Sequence, residues 1–260
     1  MESVNKTLYI PLYGKAYVSK QGILLKDAKA EEIWAKAGFP LKGKSRSKYL
    51  AYYMAMRAAV FDAWADHQMK ACPRAAVLHL GCGLDGRILR TAGDNMWYDV
   101  DFPSVIAERR KYFREDGRYT MVAGDVAQEE WLTAIPQGEA IVLMEGISMY
   151  LAPDDLHTLF TRLNAHFTSI RLLMDCYTTF AAKASKHRNP VGEVGVTTVY
   201  GLDDPALPTQ GTGITYAAEH EMTPKGYMDE LTGMEKQVFQ KLYAGKMAQK
   251  LYRLYEYKKG

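Results

Sequence analysis

Cysteine is scarce in this chain, and neither sign of charge dominates. Only Cys72, Cys82 and Cys176 occur, and no two of them form a C-x-x-C pair. That pattern excludes a disulfide-stapled scaffold and the common zinc modules, and it suits reduced thiols in a cytoplasmic protein. Apolar runs are short, and none approaches the ~20 residues that cross a bilayer. The opening stretch, MESVNKTLYIPLYG, lacks the basic start and apolar core of a signal peptide. The net charge is +3, with Lys and Arg spread along the chain, so neither nucleic acid nor a membrane surface is an expected partner. The six histidines do not cluster, and no metal site is expected. No internal repeat or low-complexity tract is present.

What is there has ordinary globular proportions: 260 residues, 48% hydrophobic and 24% charged, enough for one sizeable core. The first forty residues mix short apolar pieces with Gly and Pro, and only AKAEEIWAKAG reads as a short helix, ended by Gly38. From Ser45 to about Met69 no Gly or Pro interrupts, and Tyr49, Tyr52, Tyr53, Met56, Val60, Phe61 and Trp64 recur at helical spacing. After that the rhythm changes. AAVLHL, MWYDVD, YTMVAGD, EAIVLMEG and IRLLMDCY read as strands. A helix is expected after the first, one from Pro103 through Phe113 after the second, and PDDLHTLFTRLNAHF before the fifth. Alternation of this kind predicts an α/β fold, a mostly parallel sheet with helices on both faces. Thr178 to Gly213 is rich in Gly, Pro and Thr and reads as an inserted lid. ITYAAEHEM is a sixth strand, a helix runs from Pro224 to Tyr243, and the chain closes on KLYRLYEYKK, a seventh strand with helix as its alternative.

The loop HLGCGLDGR carries G-x-G-x-x-G at Gly81, Gly83 and Gly86. Glycines there let the backbone turn tightly and approach a ligand closely. Asp101 follows about twenty positions beyond, the spacing of an acid that accepts from the hydroxyls of an adenosine ribose. NAD and S-adenosylmethionine both carry that ribose. Charge separates them: an ionised Asp85 repels a pyrophosphate, whereas acids following the strands (Asp85, Asp99 and Asp101, Asp125, Glu145) suit an ammonium and a sulfonium. Arg87 stands close enough in sequence to offset Asp85. The Tyr and Lys four positions apart that a short-chain reductase uses occur only as Tyr255 and Lys259, at the very end of the sequence.

LHLGCGLDGR, WYDVDFPSVIAERR, GDV and MEGISMYL, in this order, resemble the leucine carboxyl methyltransferase family, which includes the tetracenomycin-type polyketide O-methyltransferases. LYIPLYGKAY and YYMAMRAAVFDAW fit as well, and the resemblance covers Thr7 to Phe167. It implies a class I, S-adenosylmethionine-dependent methyltransferase with a seven-stranded Rossmann-like sheet. One domain is expected, divided into a helical extension (1–70), a cofactor-binding core (75–177), a lid or insert (178–212) and C-terminal strands and helix (213–260). By the same resemblance Arg57 pairs with the methionine carboxylate, a task suited to a guanidinium fork. Gly81 and Gly83 contact the cofactor through backbone, and Asp101 holds the ribose. Asp125 and Val126 bracket the adenine, and Glu145 lies near the ammonium. Tyr150 faces the methyl group or the acceptor. Gly86 departs from the family, where Thr or Ser is commoner. The expected reaction is methyl transfer to a hydroxyl or carboxyl oxygen of a small molecule, with His220, Glu219 and Tyr200 as candidate bases. A cofactor-binding module without catalysis, and an NAD-dependent reductase, are the alternatives.

Overall fold

The computed structural model describes residues 7–41, 43–185 and 198–260. Three helices come first: α1 (Tyr9–Gln21), α2 (Ala28–Ala37) and α3 (Lys48–Ala71). The sequence reading missed α1 because Pro11 and Gly14 look like breakers. Pro11 sits in the first helical turn, where its missing N–H costs no intrahelical bond. Gly14 serves contact: a Cβ there would lie 3.2 Å from Ala51 Cα and from Met54 Cβ, so α1 packs backbone-close on α3. α2 is capped by Asp27, whose Oδ1 accepts from Ala30 N at 2.8 Å. α3 starts at Lys48, after a 3₁₀ turn at Gly43–Arg46, and is apolar around most of its circumference because it lies between α1 and the sheet.

The sheet contains β1 (Ala76–Leu80), β2 (Trp97–Asp101), β3 (Tyr119–Ala123), β4 (Glu139–Met144), β5 (Ser169–Tyr177), β6 (Thr215–Glu219) and β7 (Tyr252–Lys259). Its order is β3-β2-β1-β4-β5-β7-β6, with β7 antiparallel to both neighbours and every other pairing parallel. This is the mostly parallel seven-stranded architecture expected, and the terminal segment is a strand. Alternation along each strand divides the core. Val77, Ile141, Leu143 and Leu173 join α1–α3 on one face. Leu78, Leu80, Val142, Met144 and Leu172 join α5 (Pro153–His166) on the other. Strand order reverses between β1 and β4, so the loops leaving them part and open a crevice at the carboxyl ends.

Several expected helices differ. The glycine loop leads into a single 3₁₀ turn, Arg87–Leu89, because Arg87 and Arg90 turn inward to bind acids rather than continue a helix. α4 (Pro103–Arg109) ends short of Phe113, since Arg109 is drawn under the sheet. The helix expected over Pro224–Tyr243 is two, α7 (Lys225–Met228) and α8 (Gly233–Tyr243), interrupted at Thr232–Gly233, where Thr232 is extended and Gly233 takes φ +55°. Ahead of β7 comes a further helix, α9 (Gly245–Leu251). The expected lid spans α6 (Thr179–Ser185) and a bridge of Gly201 to Tyr177, while its residues 186–197 lie outside the described residues.

Replacing Gly14 by Val is expected to lower stability by ~1–3 kcal/mol through overpacking of α1 on α3. A urea denaturation midpoint unchanged from the parent would contradict that packing.

Candidate active site

A cavity of about 360 Å³ opens at the carboxyl ends of β1–β4, with Leu8, Ile10, Pro11, Leu12 and Lys15 from the α1 region lining it opposite the strand ends. The size falls in the ordinary range of small-ligand sites. Gly81 (φ +68°) and Gly83 (φ +52°) form one wall. A Cβ on Gly81 would stand 2.0 Å from Ile147 Cγ2, so the loop after β1 presses on the turn after β4. Asp101 adjoins this wall: its Oδ2 accepts from Gly83 N and its Oδ1 from Phe102 N, both at 2.8 Å. Each carboxylate oxygen keeps further acceptor capacity. Burial pushes the Asp101 carboxyl up to about 6, although the two backbone donors pull the other way. Asp125 and Val126 also line the cavity, and Asp125 Oδ1 accepts from Ala127 N at 2.9 Å in a local turn.

At the end nearest α3, Arg57 is buried between two acids. Its Nε donates to Glu145 Oε1 at 3.1 Å and its Nη1 to Asp175 Oδ2 at 2.8 Å. The Nη2 edge lies over Gly146 (φ +74°), where a Cβ would come within 3.2 Å of it. Glu145 Oε2 accepts from Arg87 Nη2. Burial raises the Glu145 carboxyl, but Arg87 and Arg57 outweigh burial and hold it low. Met149, Tyr150, Tyr177 and Tyr252 also line the cavity, with the Tyr177 and Tyr252 rings edge to face at 4.6 Å. Tyr150 stands in the 3₁₀ turn Ser148–Tyr150, and burial raises its hydroxyl above the ordinary tyrosine value.

The eight site residues read from the sequence thus face one cavity: Arg57, Gly81, Gly83 and Asp101 together with Asp125, Val126, Glu145 and Tyr150. The acids that follow the strands do not all face the cavity as free carboxylates. Asp85 is not a free carboxylate at the mouth: it pairs with Lys15 and Arg90 at 2.9 Å and with Arg87 at 3.4 Å. Burial raises its carboxyl, and Arg90, Lys15 and Arg87 together hold it well below its ordinary value. Asp99 is not at the cavity at all. It faces the opposite side of β2 from its neighbour Val100, fully buried with Arg109 and with the Tyr119 hydroxyl at 2.6 Å. The cations of the chain neutralise these acids, which sequence order hides. A different feature disfavours a pyrophosphate over this loop: the 3₁₀ turn leaves no full helix amino end to receive one.

His79 borders the cavity floor, with Nε2 hydrogen-bonded and Nδ1 near Asp99 but without a hydrogen bond to it. A guanidinium only donates, so Nε2 accepts from Arg87 at 3.2 Å and the proton is assigned to Nδ1, 3.3 Å from Asp99. Burial lowers its basicity and keeps it neutral. The three candidate bases stand away from the cavity lining. His220 bonds Glu256 at 2.6 Å, Glu219 bonds Arg253 at 2.7 Å, and Tyr200 N donates to Met149 O at 2.8 Å. Reading the sequence alone missed Lys15, Asp175, Tyr177 and Tyr252. Tyr177 was within reach, since it ends a strand as the other site residues do. Lys15 required recognising α1, and Tyr252 required knowing that β7 runs antiparallel.

The strand order, the switch-point cavity and the acid after β2 define the class I S-adenosylmethionine-dependent methyltransferases. Solved structures agree on the fold. A putative methyltransferase from Thermobifida fusca superposes with TM-score 0.53 at 13% identity, covering 95% of this chain and 93% of that one. Magnesium protoporphyrin IX methyltransferase from Synechocystis with bound SAH gives 0.51 at 12% identity, covering 90% and 95%. In sequence, the chain is 28% identical over 243 residues to the tetracenomycin polyketide synthesis O-methyltransferase TcmP of Streptomyces glaucescens, covering 92% of this chain and 90% of that protein. Residues 6–164 match the family model for leucine carboxyl methyltransferase, and the chain belongs to that family.

Gly81→Ala is expected to abolish ligand binding, because the new methyl clashes with Ile147 and the left-handed backbone disfavours any Cβ. Ile147→Ala in the same chain removes the clash but not the backbone penalty, and should restore binding in part. Isothermal titration with S-adenosylhomocysteine reads both variants, and wild-type affinity in Gly81→Ala would refute the close approach.

Proposed function

We propose that the protein transfers a methyl group from S-adenosylmethionine to a hydroxyl or carboxyl oxygen of a small molecule. The observation that carries this reading is the set of groups that line one cavity. Arg57 and Lys15 are its cations, Gly81, Gly83 and Asp101 form the glycine loop and the acid bonded to it, and Tyr150, Tyr177 and Tyr252 supply aromatic rings. The chemistry of these groups fits the cofactor. Arg57 Nη2 and Lys15 suit its carboxylate, Glu145 its ammonium, and Asp101 its ribose. Asp125 and Val126 bracket the adenine, and the backbone at Gly81 and Gly83 passes close beside the ligand. The name of the Streptomyces relative, an O-methyltransferase of polyketide synthesis, supports a small-molecule acceptor.

Bound there, S-adenosylmethionine supplies a methyl group on a sulfonium, a leaving group that needs no protonation. The chain therefore has mainly to align and to exclude water, and alignment of this kind supplies ~7–11 kcal/mol. Residues from the α1 region screen the cavity, and Met149 with the tyrosines makes the acceptor end apolar. Tyr150 stays protonated and so donates a hydrogen bond to the acceptor oxygen rather than removing its proton. Three cysteines without a disulfide support a cytoplasmic setting. Among the described residues no helix is long and apolar enough to cross a membrane.

Transfer of a labelled methyl group from S-adenosylmethionine to a panel of phenols and carboxylic acids tests the reaction, and cofactor binding without turnover on any acceptor would overturn it. Tyr150→Phe is expected to lower kcat ~10-fold, the size of one lost hydrogen bond, while S-adenosylhomocysteine affinity stays within ~2-fold. Binding should also depend on pH. Asp101 titrates near 6 in the free protein and must be ionised to accept from both ribose hydroxyls. Affinity is expected to fall up to ~10-fold per pH unit below about 6, and Asp101→Asn should flatten the profile. The stability of the unliganded protein runs the other way. Folding takes up a proton at Asp101 between the unfolded value of 3.8 and about 6, so stability falls as pH rises through that window.

A further inference from the structure

Asp175 belongs to none of the motifs above and does not line the cavity, yet it ties two of its walls together. It lies near the end of β5, with 0% of its surface exposed. Oδ2 accepts from Arg57 Nη1 at 2.8 Å, and Oδ1 accepts from Gly146 N at 2.5 Å. Its backbone carbonyl accepts from the Ser148 hydroxyl at 2.5 Å. One residue thus holds the guanidinium from α3, the left-handed glycine that follows Glu145, and the first residue of the turn that carries Tyr150.

The arrangement constrains Arg57 almost completely. Nε is taken by Glu145 and Nη1 by Asp175, two acids on adjacent parallel strands. A planar guanidinium held at two corners has no freedom left to rotate. Its remaining edge, Nη2, rests over the Gly146 backbone, and no hydrogen bond among the described residues engages it. Arg57 itself lines the cavity. Glu145 by itself would fix one point and leave the fork free to swing about it. Asp175 supplies the second point and also sets the backbone on which the fork rests.

We infer that Asp175 is a positioning residue: it aims the outer edge of Arg57 at the carboxylate of the methyl donor and locks the Gly146 turn beside it. The inference rests on the reading of Arg57 as the carboxylate clamp. Asp175 touches no ligand, so its effect is confined to ligands that carry the amino-acid moiety. Burial raises the Asp175 carboxyl against the pull of Arg57 and the Gly146 N–H, so its charge is held by those two partners. In Asp175→Asn one of the two donors faces an amide NH₂, and Arg57 loses a fixed corner.

Two probes separate positioning from general structural support. S-adenosylhomocysteine carries the carboxylate, whereas 5′-methylthioadenosine has the same adenosine but no amino acid. Titration calorimetry on folded Asp175→Asn is expected to show at least ~10-fold weaker S-adenosylhomocysteine binding, with 5′-methylthioadenosine within ~2-fold of the parent. Equal weakening of both ligands, or of neither, overturns the inference. Asp175→Glu covers the case in which the Asn variant does not fold. It keeps the charge but shifts the carboxylate by one methylene, so positioning predicts the same selective loss and a mere counter-charge predicts none. Arg57→Met distinguishes the two layers of the argument. Selective loss in Arg57→Met without it in the Asp175 variants refutes positioning and leaves the clamp standing. No selectivity in Arg57→Met refutes the clamp itself.

Discussion

Along and behind one side of the cavity, Lys15, Arg57, Arg87 and Arg90 meet Asp27, Asp62, Asp85, Glu145 and Asp175 in one continuous set of ion pairs. The members come from α1, from the cap of α2, from α3, from the loop after β1 and from the ends of β4 and β5. The walls formed by α1, α3, the glycine loop and the turn after β4 therefore touch this set. Ion pairs buried so deeply are not an efficient source of stability, since the desolvation of each charge offsets most of the attraction. Their effect is geometric. Removing any one partner strands a buried charge, typically at ~3–5 kcal/mol, so the elements are held in one relative placement. A cavity built from so many separated segments needs such a constraint to keep its shape before any ligand arrives.

The constraint also explains why the loop after β1 is not followed by a helix. Arg87 and Arg90 turn inward to satisfy Asp62, Asp85 and Glu145, which a regular helix from Gly86 would prevent. The loop is instead held by Gly81 pressing on Ile147 and by Asp101 accepting from Gly83. That contact links the glycine loop to the turn that carries Tyr150, because Ile147 leads directly into it. A second buried group lies under β2, where Asp99, Arg109 and Tyr119 bond one another, and His79 joins it to the first through Arg87. It supports the strand that ends in Asp101 and, through Arg109 Nη1 donating to the Gly83 carbonyl, the glycine loop as well.

Much of the architecture was legible in the chain. Strand and helix alternation, the Gly81–Gly83 loop, Asp101 at the end of β2 and Glu145 after β4 depend on residues close together in sequence, and turn chemistry and burial period act at that range. α1 was not legible, because Pro11 and Gly14 mark breaks in most contexts and here mark a first turn and a close helix contact. The helices after the glycine loop and across Thr232 failed for the converse reason: their local pattern is helical, but inward-turning arginines in one case and a left-handed glycine in the other ended them.

By itself the sequence determined which strands form, where the glycine loop falls and which side chains stand at strand ends, since each is decided within one or two turns of chain. The tertiary structure alone decided which charges remain free. Asp85 reads in isolation as an acid facing a ligand, and only the fold shows it compensated by Lys15 and Arg90. The same holds for the orientation of Arg57 between Glu145 and Asp175, and for Tyr252, which reaches the cavity because β7 runs against its neighbours. Compensation of charge and direction of a strand depend on distances between segments far apart in the chain, and those distances exist only once the sheet has assembled.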